Sequence, residues 1–134
     1  MGFLDRLFGK KTTTDVKFQK VKYTGTMVLE NNYVGGIESP KWENVAAYLD
    51  MLFKDNDEFV TLTLAQAVDG IRFMQACWTD KGYSVQLGIE EGDNTVLVEN
   101  LFDQKATVKL FKEFFTYGTV YGREDFKPME FKLQ

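Results

Sequence analysis

The chain has 134 residues, no histidine and a single cysteine, Cys77; hydrophobic residues make up 44% of it, with 12 Phe, 6 Tyr and 2 Trp. A chain of this length and composition builds one core without disulfides or a structural metal, and the missing histidine excludes Ser-His-Asp and Cys-His nucleophile systems, His general bases and His-containing metal sites together. The formal net charge of −4 argues against generic nucleic-acid binding, which depends on setting Lys and Arg against phosphates.

That charge is unevenly spread. Residues 1–22 carry six Lys/Arg against two acids, whereas residues 38–103 carry four against thirteen. The acidic middle suits a basic partner, and acids also serve simply to solvate turns and helix starts. A lone cysteine forms no internal disulfide, so a reducing cytoplasm is the compartment that fits. The N-terminus has no apolar h-region, and no apolar run reaches membrane-spanning length.

Residues 1–11 read as a leader. Phe3, Leu4, Leu7 and Phe8 fall on one helical stripe, with Lys10 and Lys11 following and Gly9 as the stop. This segment is a candidate for contact with a membrane interface or a partner groove, which would place the protein at the inner face of the membrane. Residues 12–15 read as a linker, and residues 16–134 as a single domain.

Two strands are expected within residues 16–30, turning at Thr24-Gly25, followed by a loop at Asn31-Asn32 and Gly35-Gly36. Those loop residues lack the spacing of a phosphate cradle and read as a turn. The first helix is expected to begin with Ser39 as N-cap and Pro40 in the first helical position. Its core stripe is Trp42, Val45, Ala46, Leu49, Leu52 and Phe53, and Asp55-Asn56-Asp57 ends it.

Four strands follow. Val60, Leu62 and Leu64 alternate with Thr61 and Thr63, and Asp69-Gly70 has hairpin chemistry. Residues 71–79 are apolar on both faces and read as a central strand. Tyr83, Val85, Leu87 and Ile89 alternate with Ser84, Gln86 and Gly88, and a further strand covers Thr95 to Leu101 after an acidic turn. Such short turns favour an antiparallel meander. The second helix is expected from the N-cap Asp103 to Gly118, burying Thr107, Leu110, Phe111, Phe114 and Phe115. Pro128 makes the final segment an edge strand or an extended tail. The fold class is therefore α+β: an antiparallel sheet of about five to seven strands with two helices packed on one face, in the order ββ-α-ββββ-α-(β).

No reaction centre stands out, and the chain reads as a non-catalytic binding domain with no cofactor and no metal. Asp55, Asp57 and Glu58 resemble half a calcium loop without its alternation or central Gly. Glu90, Glu91 and Asp93 sit on a turn, and no spacing among these acids selects a catalytic pair. Cys77, between Ala76 and Trp78 with no basic neighbour, reads as a small buried hydrophobe. Gln75, Trp78 and Gln86 would make an aromatic-and-amide recognition surface if their faces were open, and sheet packing if not.

The segment Gly36-Ile37-Glu38-Ser39-Pro40-Lys41-Trp42, followed by Val45, Leu49-Asp50 and Leu52, resembles the opening of small bacterial immunity proteins of polymorphic toxin systems. The resemblance implies a Pro-x-Trp helix start, a Leu-Asp helix end and a following strand meander. It also implies action by occlusion of a toxin without chemistry of its own. The leading expectation is a protein partner, a basic toxin, held by Asp55, Asp57, Glu58, Glu90, Glu91 and Asp93. The alternatives are a membrane-surface accessory protein standing on Phe3, Leu4, Leu7 and Phe8, and a small-ligand-binding domain.

Overall fold

A computed structural model of the chain describes residues 21–129. The leader, the linker and the expected strand residues 16–20 lie outside them, as do residues 130–134. Strands β1 (Met27–Asn31) and β2 (Ile37–Glu38) precede helix α1 (Trp42–Lys54). A meander follows: β3 (Phe59–Val68), β4 (Ile71–Thr79), β5 (Gly82–Glu91) and β6 (Asn94–Phe102). Helix α2 (Gln104–Tyr117), a 3-10 turn (Arg123–Asp125) and β7 (Lys127–Pro128) complete the order.

All seven strands form one sheet, β2-β1-β3-β4-β5-β6-β7, antiparallel throughout. The α+β class, the two helices on one face and the ββ-α-ββββ-α-β order agree with the sequence. Strand β4 is central, as its two apolar faces require, and Pro128 lies on an edge strand, where its missing N–H breaks no ladder.

Register turns the alternation of each strand into rows across the sheet. Leu29, Leu62, Met74, Leu87 and Val98 are cross-strand neighbours and all face the helices. Against that row pack Val45, Leu49 and Leu52 of α1 and Phe111 and Phe114 of α2, each essentially without solvent exposure. The opposite face carries a polar row in the same register: Glu30, Thr61, Gln75, Gln86, Glu99 and Lys127. One apolar row lies beside it, and Phe73 covers Gly88 so closely that a Cβ there would collide with the ring.

Two local expectations are corrected. Residues 21–26 form no strand; Tyr23 instead donates its backbone N–H to Thr116 O, 2.9 Å away at the end of α2. The first strand pair is β1 with β2, closed by the Asn31–Gly36 loop. Helix α1 starts later than Ser39 and Pro40 suggest. Ser39 takes a left-handed φ of 52° and donates its N–H to Met27 O of β1, while Lys41 is the cap. The cap is closed from inside the helix: the Asn44 side-chain oxygen accepts the Lys41 N–H at 2.8 Å. Held to β1 by that bond, Ser39 lies two residues before the cap and does not cap the helix.

Helix α2 follows its sequence signals. Asp103 Oδ1 accepts the Ala106 N–H at 2.8 Å, and Gly118 closes the C-terminus at φ 74°. No helix among the described residues is long and apolar enough to cross a membrane.

Candidate functional site

The strands carry two acidic groups to opposite ends of the sheet. Phe59 opens β3 and pairs with Cys77, which pairs with Ser84, so Asp55, Asp57 and Glu58 lie where β5 begins. Glu90, Glu91 and Asp93 lie where β5 ends. The separation is roughly 20 Å at the rise of an extended strand. The six acids therefore do not form one surface.

At the far end, Glu90 is committed. Its carboxylate pairs with Arg72 Nε at 2.7 Å, and the same guanidinium donates to the backbone oxygens of Leu64 and Ala65. Those oxygens and Arg72 sit where the β3–β4 and β4–β5 registers shift, so the group pins a β-bulge. Glu91 and Asp93 are exposed on the turn.

The near end is built differently. The α1–β3 turn is held by Asp55, whose Oδ1 accepts the Asp57 N–H at 3.0 Å. The β1–β2 loop is held by Asn31, a buried side chain whose Oδ1 accepts the N–H groups of Tyr33 and Val34. Asn32 ties loop to turn: its amide donates to Asp57 O and accepts from Phe59 N. Tyr33 donates its hydroxyl to Asp55 Oδ2 at 3.1 Å, and the phenol is raised chiefly by that hydrogen bond and by the Asp55 charge.

Two exposed apolar side chains, Tyr33 at 61% and Val34 at 46%, stand on this polar scaffold. Trp78, 40% exposed, lies near the end of β4 one residue beyond Cys77 and so stands level with Glu58. The structure separates Trp78 from the two glutamines considered with it in the sequence. Gln75 and Gln86 point to the other face, where Thr61 donates to Gln75, Gln75 to Gln86, Gln86 to Ser84, and Ser84 to Glu99. These amides are spent on one another, and Gln86 is only 6% exposed. Cys77 belongs to that face; burial pushes its thiol up, against a weaker lowering by the Gln86 amide.

Glu58 differs from its neighbours. It is 3% exposed, and its Oε1 is buried with no hydrogen-bond partner. Burial, then the Asp55 charge, raises its carboxyl above the ordinary value. The cause lies in strand phase. Val60, Leu62 and Leu64 face the core, and one more step of two residues back along the chain reaches Glu58. That signal is present in the sequence, but acidity alone suggested a solvated position.

Among the described residues, Asp55, Asp57 and Glu58 meet no Lys or Arg, and no three acids or cysteines converge as metal ligands. Basic side chains gather on α2, where Lys105, Lys109 and Lys112 line a groove with Trp42 and Lys112 Nζ lies 4.6 Å from the Trp42 ring centre. A polar cavity of about 440 Å³ lies at the far end, lined by Tyr23, Gln66 and Asp69 among others. Phe3, Leu4, Leu7 and Phe8 lie outside the described residues. Comparison of the chain with protein-family models, with curated proteins and with solved structures finds no match.

Proposed function

We propose that this is a non-catalytic binding domain that docks a basic protein on the near end of its sheet, through Asp55, Asp57, Tyr33, Val34 and Trp78. The observation that carries the reading is the combination of exposed aromatics with acids that no described cation neutralises. Aromatic side chains supply the contact area of protein interfaces, and unneutralised charge around them sets partner choice and association rate. The loop and turn are tied together by side-chain hydrogen bonds, so the surface is preorganised and loses little entropy on binding. A basic toxin, occluded in the manner of immunity proteins, is the partner that the Gly36–Trp42 resemblance favours.

Capture from native extract at low salt tests the reading when the two ends are altered separately. An Asp55→Asn, Asp57→Asn, Trp78→Ala variant should lose a basic partner that the wild-type protein retains. A Glu90→Gln, Glu91→Gln, Asp93→Asn variant should retain it. Equal retention by both variants, or loss only in the second, would remove the near end from the proposal.

A further inference from the structure

We propose that Glu58, together with Asp55, receives a single cationic side chain of the docked protein, an arginine guanidinium or a lysine ammonium. This rests on the docking reading above and adds the residue that anchors it. A buried carboxylate oxygen without a partner is rare, because removing it from water costs more than leaving it exposed and nothing returns the loss. In this fold the position has no visible structural reward: Glu58 fills a core-phase site at the start of an interior strand and bonds nothing with Oε1.

The neighbouring carboxylate makes the arrangement more demanding. Asp55 is fixed by the Asp57 N–H and the Tyr33 hydroxyl, both neutral donors that bring no compensating charge, and its charge acts with burial to raise the Glu58 carboxyl. Two like charges held close together, one of them out of water, are relieved by one cation between them. Once the Glu58 side chain turns toward Asp55, charge-assisted hydrogen bonds from a guanidinium fork or an ammonium would satisfy its unbonded oxygen. Tyr33, open to solvent beside Asp55, offers its ring to the cation and its apolar stem.

A site kept at the expense of folding stability has a distinctive signature: neutralising it improves the fold and weakens the binding. The test uses the full chain, with acetyl-Gly-Arg-Gly-amide as probe and acetyl-Gly-Gln-Gly-amide as its neutral control, followed by amide chemical shifts. The arginine peptide should move the amides of residues 55–59 with millimolar affinity, and the glutamine peptide should not.

Glu58→Gln should weaken the arginine peptide about fivefold, the order of one ion pair whose cation comes from solvent, while raising the urea midpoint. Asp55→Asn, whose amide oxygen can still accept the Asp57 N–H while its amino group donates to the Tyr33 hydroxyl oxygen, should weaken it similarly and serves if Glu58→Gln does not fold. Unchanged affinity in both variants would overturn the anchor, and so would a fall in stability alongside the fall in affinity for Glu58→Gln. Shifts at Tyr33, Val34 and Trp78 that are equal in wild type and Glu58→Gln would retain the docking surface and dismiss Glu58. No shift at either set would dismiss both.

Discussion

The two ends of the sheet hold the same residue type in opposite conditions. Glu90 lies on the solvent side of a strand end, 2.7 Å from the Arg72 guanidinium, and helps to fasten a bulge. Glu58 lies in the inward phase of a strand start, buried, with one oxygen unbonded. Both follow or precede turns rich in acids, and composition does not distinguish them. Strand phase does: a step of one residue moves a side chain between solvent and core. One end therefore reads as structure, and the other as a place where stability is given up.

The sharpest test of whether the ends belong to one cooperative unit is truncation midway between them. Leu62→Ala should cost about 2–5 kcal/mol, because it removes a fully buried side chain from the central row. Hydrogen exchange should then rise alike at the amides of Phe59 and Thr95; a rise at one alone would show the ends unfolding separately.

Asn31→Ala comes next. It leaves the Tyr33 and Val34 N–H groups without their acceptor and should cost about 1–3 kcal/mol. Its exchange effect should be confined to the near end, and spread to the Asp69–Gly70 turn would contradict the local role of Asn31.

Glu58→Met should have the opposite sign, a gain of about 1–2 kcal/mol in urea unfolding, since an apolar side chain of similar length replaces an unsatisfied acceptor. The pH dependence has a definite sign. The folded-state carboxyl lies above its ordinary value, so the folded protein binds the proton more tightly than the unfolded chain. This group's contribution is most favourable below the ordinary carboxylate value and is lost as pH rises through the folded-state value. The advantage of Glu58→Met should accordingly shrink as pH falls from neutral. An advantage independent of pH would mean that the carboxylate charge is not its source.

Glu90→Gln should change least, by less than about 1 kcal/mol, because the pair it weakens is partly exposed and screened. A loss larger than that caused by Asn31→Ala would reverse the contrast between the ends.

Much of the fold was legible. The helical spacing of Val45, Leu49 and Leu52, the Asp103 cap, the Gly118 stop and the Asp69-Gly70 turn are local signals, and local geometry enforces them. The start of α1 was not legible. Ser39 has good capping chemistry, but its backbone is held to Met27 O across the sheet, two residues before the cap Lys41, and that placement is visible only once β1 is paired. The near end is half legible. Charge marks Asp55, Asp57 and Glu58, whereas nothing in the sequence marks Tyr33 and Val34. The amide pair Gln75–Gln86 stood out and proved to be spent internally.

The sequence by itself determined the α+β class, the two helices and the meander, because periodicity and turn chemistry act over a few residues. Only the tertiary structure decided that the acidic middle lies at two ends of the sheet rather than on one surface. Antiparallel pairing sends consecutive turns to alternate ends of a sheet, so neighbours in charge along the chain become distant in space. It also decided which carboxylate is buried, because the pairing of β3 sets the phase in which Glu58 meets the core.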